Sequence, residues 1–248
     1  PASRSLLVLL LACSGGGPVR ADALYKMGVN AVAALAGAAR QAKPLALPTR
    51  IGGFGGEDGF CEYLEREKIT HVLDATHPFA SRISHRTALV SARKSLKYMQ
   101  YLRPAWTAQA GDQWHHIRDE TDVLGLLNKT PSTVFLATGR QTLERFANLE
   151  GHRIICRQID PPTSPFPFEG GEYCIGRPPF SVGREVELFE ALGVDLLVVK
   201  NAGGTASRSK LDAAALLGLP VAMIERPPQP DAPKVDTIEA ALDWVRAC

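Results

Sequence analysis

Thr70-His71-Val72-Leu73-Asp74-Ala75-Thr76-His77-Pro78-Phe79-Ala80-Ser81-Arg82-Ile83-Ser84 reads as a short strand that turns into a helix. Val72 and Leu73 suit a parallel strand buried on both faces. Pro78 favours an extended His77 and supplies a first helical residue with no N–H to lose, so the turn runs from Asp74 to His77. At the carboxyl end of a parallel strand, such a turn brings helix N–H groups and polar side chains to one crevice, where doubly wound proteins take ligands. The same grammar recurs twice. Val134-Phe135-Leu136-Ala137 runs into Thr138-Gly139-Arg140-Gln141 and a helical Leu143/Phe146 spacing, and Leu196-Leu197-Val198-Val199 runs into Lys200-Asn201-Ala202-Gly203-Gly204. One polar turn is what any α/β protein has; three point to a shared site.

Working outward, the 248 residues hold two ordinary domains or one large one. Hydrophobic residues make up 45% and charged residues 22%, as in a soluble globular protein, and a formal charge of +2 gives no case for nucleic acid, so any anion site is local. The five cysteines are scattered and odd in number, without the paired spacing of a zinc site or disulfide scaffold; reduced thiols in a cytoplasm are the simplest reading.

Leu6 to Ala12 suits a buried first strand, and Cys13-Ser14-Gly15-Gly16-Gly17 a loop that lets the backbone approach a phosphate. A rival reading takes Arg4, the apolar run and Cys13 as a lipoprotein signal with Cys13 lipidated. The run is too short to span a membrane. Pro18 places the first helix through Ala21, Leu24 and Tyr25 to Gly28, and Ala31 to Gly37 reads as the second strand. Arg40 and Lys43 follow it. Cations at that position favour NADP over NAD, where an acidic residue would favour NAD. Thr49 to Gly56 holds the densest glycine cluster, Phe60, Tyr63 and Leu64 form the apolar face of a helix, and Tyr98 to Leu102 is another strand. His115 and His116, in a short strand from Trp114 to Ile117, point to opposite faces and are unsuited to share a metal.

The alternation restarts after residue 117, which divides the chain into 1–116 and 117–248. Arg153 to Arg157 is a strand, Pro161 to Pro167 is irregular, and Arg177-Pro178-Pro179-Phe180-Ser181 caps a helix carrying Val186, Leu188, Phe189 and Leu192. A helix from Lys210 stops at Gly218, Pro220 to Ile224 is the last core strand, and Ile238 to Val245 is a closing helix. Strand–helix alternation in both halves gives two doubly wound parallel sheets. There is no G-x-S-x-G elbow, H-E-x-x-H helix or Walker loop. Arg103, Arg140 and Lys200 lie at strand ends, which makes an anion-friendly site for a phosphorylated cofactor, an acidic substrate, or both.

The strings Asp74-Ala-Thr-His-Pro-Phe-Ala80, Thr138-Gly-Arg-Gln141, Arg157-Gln-Ile-Asp-Pro-Pro162, Lys200-Asn-Ala-Gly-Gly204 and Lys210-Leu-Asp-Ala-Ala214 resemble the precorrin-6A (precorrin-6x) reductase family of cobalamin biosynthesis, in order and spacing from about Ala31 onward. The resemblance implies two Rossmann-like domains, an N-terminal NADP-binding one and a C-terminal substrate one, with the active site in the cleft between them. It implies an oxidoreductase that uses NADPH to reduce one double bond of precorrin-6A, a polycarboxylated corrin precursor, to precorrin-6B. It places Gly15 and Gly16 near the pyrophosphate, Arg40 at the 2′-phosphate, and Thr76, His77, Pro78 and Phe79 beside the nicotinamide. Arg103, Thr138, Gly139, Arg140, Lys200, Asn201, Gly203 and Gly204 then face the substrate, with no metal. His77 is either the proton donor or a residue that positions the turn, in which case water donates.

The family follows its first strand with a Gly-Gly-Thr-x-Glu-Ala turn, whereas Cys13 to Arg20 keeps glycines but no equivalent of the Thr or Glu. A divergent loop or a locally altered reading frame would weaken cofactor binding without changing the fold. Two alternatives stand beside this reading: the cobalt-precorrin-6A reductase of the anaerobic pathway, and a non-catalytic tetrapyrrole-binding or lipoprotein module. Oligomeric state is not legible in the sequence, and neither nucleic acid nor membrane is expected as a partner.

Overall fold

The computed structural model describes residues 5–13, 17–35 and 44–248. The chain divides into two compact units: Pro1–Pro104 with Pro227–Cys248, and Ala105–Arg226.

The first unit contains β1 (Val8–Ala12), α1 (Gly17–Lys26), β2 (Ala31–Leu35), β3 (Thr49–Ile51), α2 (Gly56–Arg66), β4 (His71–Ala75), α3 (Ser81–Arg93) and β5 (Lys97–Tyr101). The second contains β6 (Trp114–Ile117), β7 (Thr133–Leu136), β8 (Arg153–Gln158), β9 (Gly171–Ile175), α4 (Val182–Leu192), β10 (Leu196–Lys200), α5 (Ser209–Leu217) and β11 (Val221–Ile224); β12 (Lys234–Val235) and α6 (Ile238–Arg246) return to the first. The sheet orders are β12-β5-β4-β1-β2-β3 and β6-β11-β10-β7-β8-β9, with parallel pairing throughout. The first sheet has the strand order of a dinucleotide fold. In the second, the sixth position is filled by β6, the first strand of its unit.

Every residue of β1 is buried because the strand is covered on both faces. Val8, Leu10 and Ala12 pack with Ala21 and Leu24 of α1 and Ala241 and Val245 of α6, while Leu9 and Leu11 pack with Phe60, Tyr63 and Leu64 of α2 and Val90 of α3. Each such aliphatic side chain contributes about 1.5–3 kcal/mol by leaving water. The second core centres on Phe135, Phe189, Leu197, Val199, Leu211, Val221 and Met223, with the Phe135 and Phe189 rings edge to face at 5.1 Å.

Three features differ from the sequence expectation. The division does not fall at residue 117: β6 already belongs to the second sheet, and β12 and α6 complete the first. A two-residue strand behind four prolines carries no periodicity to read. Backbone bonds hold it, from Gln100 N–H to the Pro233 carbonyl and from Leu102 N–H to the Val235 carbonyl, both 2.9 Å. The Gln229 side chain donates to the carbonyls of Pro78 and Pro227. Secondly, Pro78 is not the first helical residue. It sits in a turn closed by Ala80 N–H on the His77 carbonyl at 2.8 Å, and α3 begins at Ser81. Pro at the second place of such a turn uses the same fixed φ. Thirdly, the helical Leu143/Phe146 spacing forms a 3-10 helix, Leu143–Leu149, and a second 3-10 helix, Glu120–Leu126, precedes β7.

Gly59 of α2 passes so close to the preceding loop that an added Cβ would stand 1.8 Å from the Phe54 carbonyl oxygen. Gly59→Ala is expected to cost about 1–3 kcal/mol, the usual range for forced overpacking. Gly125→Ala, where an added Cβ meets nothing within 4 Å, should stay within about 0.5 kcal/mol. Urea midpoints of the two variants test this; equal stability would mean that α2 shifts freely.

Candidate active site

Each sheet has one place where the chain leaves neighbouring strands in opposite directions, and ligands of doubly wound proteins bind beyond such strand ends. In the first sheet it lies between β1 and β4, in register at Ala12 and Ala75. In the second it lies between β7 and β10, where Leu136 is paired with Val198 and Ala137 N–H donates to the Val198 carbonyl at 2.9 Å.

Beyond β4, Asp74 is fully buried but well supplied with donors. Its Oδ1 accepts from the Thr76 N–H at 3.1 Å and the Thr76 hydroxyl at 2.8 Å, and its Oδ2 accepts from the Tyr98 hydroxyl at 2.8 Å. This side-chain turn offsets the cost of burying a carboxylate. Burial, and then the Asp74 carboxylate, push the Tyr98 phenol far above its ordinary range, so it stays a donor. Thr76 Oγ1 also lies 3.1 Å from Ser84 Oγ, which ties the turn to α3. His77 Nδ1 accepts from the Phe79 N–H at 3.2 Å, a bond that needs a lone pair on that nitrogen and leaves the neutral ring's proton on Nε2. The structure thus brings Thr76, His77, Pro78 and Phe79 into one turn. Arg103 follows β5, the strand beside β4. Gly15, Gly16 and Arg40 lie outside the described residues.

The second switch point gathers Thr138, Gly139 and Arg140 after β7 with Lys200, Asn201, Gly203 and Gly204 after β10. Thr138 is buried, Arg140 is exposed, and Gly139, Gly203 and Gly204 have φ of 74°, 68° and 87°, which a side chain would strain. Lys200 is half-buried; burial lowers its pKa, opposed by the charge of Glu120. Asn201, expected to face substrate, has its side chain engaged within its own unit. Its Oδ1 accepts from the Trp106 N–H at 2.8 Å and its Nδ2 donates to the Trp106 carbonyl at 3.1 Å, so a buried side chain mimics a strand partner.

Several residues were not assigned a role from sequence. Arg157, at the end of β8, donates to Glu185 of α4 at 2.8 Å, with the two side chains 11% and 1% exposed, and its guanidinium lies over the rings of Phe135 and Phe180. Glu185 sits in the first turn of α4, where the helix dipole favours a carboxylate. Lys210 of α5 is partly buried and feels the charges of both Glu185 and Arg157. It donates to the Ser207 carbonyl at 2.6 Å and lies 5.2 Å from the centre of the Trp106 ring. The signal available was the pair of strings around Arg157 and Lys210, without any indication that they meet.

Burial pushes Lys210 down to about 8, against an upward pull from Glu185 and a downward push from Arg157. The folded-state value is therefore below the ordinary 10.5, so the buried charge costs stability below about pH 8, and that cost is relieved as pH rises from about 8 to 10.5. The shift sets an upper bound of about 3 kcal/mol at neutral pH, lowered by the water that the partly exposed ammonium keeps. Lys210→Met should therefore be more stable than the native chain at pH 7, with the difference shrinking toward pH 10. Urea unfolding of both at matched pH tests this; a pH-independent difference would refute it.

Among the described residues, no helix is long and apolar enough to cross a membrane, and no group of three or more His, Cys, Asp or Glu could hold a metal ion. Residues 7–246 match the family model of precorrin-6x reductase CbiJ/CobK. The chain is 41% identical over 236 residues to a precorrin-6A reductase of Rhodobacter capsulatus, covering 93% of each. It is 38% identical over 240 residues to the precorrin-6A reductase of Rhodococcus erythropolis, covering 96% of each. A solved CobK precorrin-6A reductase structure superposes with a TM-score of 0.91 at 39% identity, over 98% of this chain and 97% of that one. With nearly its whole length matched in sequence, and both sheets in structure, the chain belongs to the precorrin-6x reductase family.

Proposed function

We propose that this chain reduces precorrin-6A to precorrin-6B at the expense of NADPH. The observation that carries the reading is the content of the two switch points: the Thr76–Phe79 turn at one, and Lys200 with the Thr138–Arg140 turn at the other, in a chain of the precorrin-6x reductase family.

The first unit suits a dinucleotide. It has the appropriate strand order, no acidic residue in the first turn of α1, and a buried Arg20 whose Nε and Nη1 find no partner among the described residues. The Arg20 guanidinium lies 4.6 Å from the centre of the Tyr101 ring, and its unsatisfied buried donors, like the uncompensated helix start, fit an anionic group. Gly15, Gly16 and Arg40 would hold the phosphates, and the Thr76–Phe79 turn would flank the nicotinamide. When bound, the cofactor supplies the hydride.

The chain's own residues orient and hold charge. Asp74 and Tyr98 fix Thr76, and the Phe79 N–H bond fixes the His77 ring. With Nδ1 taking the Phe79 N–H, His77 is read as positioning the turn, and water as delivering the proton to the carbon next to the one that receives hydride. Arg103, Arg140 and Lys200 meet the substrate's carboxylates, where Arg takes two parallel hydrogen bonds and Lys acts as a point charge.

The test is nicotinamide oxidation by purified protein with NADPH and precorrin-6A together and with each omitted, followed by product mass. Oxidation requiring both, and a product heavier by two hydrogens, is expected, with NADPH preferred to NADH. Arg40→Ala should raise the KM for NADPH about tenfold, the scale of one charge-assisted contact, and leave NADH unchanged. A parallel arm with cobalt-loaded substrate separates the anaerobic variant. Lack of oxidation by folded protein, persisting after a Gly-Gly-Thr-x-Glu-Ala turn replaces the native loop, would overturn the reading.

A further inference from the structure

The Lys200–Gly204 loop is held from both ends of the second unit's chain. Trp106, next to the unit's first residue, exchanges two backbone hydrogen bonds with the Asn201 side chain and donates its indole Nε1–H to the Gly204 carbonyl at 2.7 Å. Arg226, the unit's last residue, donates from Nε to the Asn201 carbonyl at 2.8 Å and from Nη2 to the Ala202 carbonyl at 3.1 Å. One planar guanidinium thus grips two successive carbonyls. Because a trans peptide sets C=O and N–H in opposite directions, this grip also turns the N–H groups of Ala202 and Gly203 away from Arg226. The Ala202 N–H closes a tight turn on the Lys200 carbonyl at 2.6 Å, which carries the constraint back to the residue bearing the ammonium group.

We propose that Arg226 is a positioning residue for substrate binding: its two-carbonyl grip, with Trp106 and Asn201 on the other side, sets the loop that presents Lys200 to the substrate's carboxylates. This rests on the function proposed above. Arg226 acts on the loop backbone, and the cofactor turn belongs to the other unit. Lysine is a poor replacement, because an ammonium group has no planar fork with which to hold two carbonyls at fixed spacing.

The experiment compares wild type, Arg226→Ala and Arg226→Lys in steady-state assays with NADPH and precorrin-6A. The expected result is a KM for precorrin-6A raised about tenfold or more in Arg226→Ala and by less in Arg226→Lys, with the KM for NADPH within about twofold of wild type. Guanidinium at low millimolar concentration should restore precorrin-6A affinity to Arg226→Ala and not to Arg226→Lys, whose side chain fills the site. A readout independent of turnover is tryptophan emission, with Trp106→Phe subtracted to isolate Trp106. It should shift to the red in Arg226→Ala as the indole bond to Gly204 loosens, and return with guanidinium.

If Arg226→Ala does not fold, Arg226→Lys carries the test through the same KM split and emission shift. Unchanged KM for precorrin-6A and unchanged Trp106 emission in the folded variants would overturn the proposal, as would equal loss of affinity for both substrates. A wild-type protein that oxidises no NADPH would instead refute the reductase reading, and the emission measurement still decides whether Arg226 sets the loop.

Discussion

A parallel sheet covered on both faces leaves polar side chains little place along its strands, so polar chemistry concentrates toward the strand ends. β1, buried at every residue, and β10, buried at all but its last, show the constraint at its strictest. At the carboxyl ends of these strands the packing loosens: Ala12, Ala75 and Leu136 are buried, Cys13, Thr76 and Lys200 are partly exposed, and Thr138 remains buried. Where the chain turns opposite ways from adjacent strands, those residues line a gap that no helix fills. The placement of the candidate site is a consequence of how the core is built.

Burying charge next to such a core demands compensation, and the two units meet the demand differently. In the first, the Asp74 carboxylate receives three neutral donors from Thr76 and Tyr98, an arrangement that fixes direction as well as energy. In the second, Arg157 and Glu185 compensate each other at the start of α4, and Lys210 is left to share their field with only a carbonyl and an aromatic face. Removing one member of a buried pair commonly costs about 3–5 kcal/mol, because the other charge is stranded. Desolvation lowers the pKa of Lys210, against the upward pull of Glu185.

What was legible in the sequence was what is local. The helix stops at Gly28 and Gly218 are left-handed positions, Ser181 accepts from the Arg184 N–H as a cap, and the three strand-to-turn strings lie at strand ends. What was illegible depends on partners far along the chain. Asn201 looks like any loop asparagine until Trp106, ninety-five residues earlier, occupies its side chain. Tyr98 alternates like a strand residue, and its hydroxyl finds Asp74 only once β4 and β5 pair. β9, with Gly171, Glu172 and Cys174, has too little apolar pattern to announce an edge strand. The returning β12 is two residues long, and the backbone bonds that hold it come from β5, far back along the chain.

That return raises an energetic question which the loop at Lys200 answers. The first unit is incomplete without Ala241 and Val245, which pack on Val8 and Leu10, so its core cannot close until the chain has passed through the whole second unit. Closing an unfolded loop of that length would cost about 4 kcal/mol in chain entropy, beyond a constant term. A folded insert whose two ends are held near one another costs far less, since only short connectors remain to be closed. Trp106 and Arg226 are held within one loop, on Asn201, Ala202 and Gly204, and they are the second and last residues of the insert. The contacts that shape the candidate substrate loop therefore also bring together the ends of the inserted unit, and a single set of hydrogen bonds serves both folding and the site.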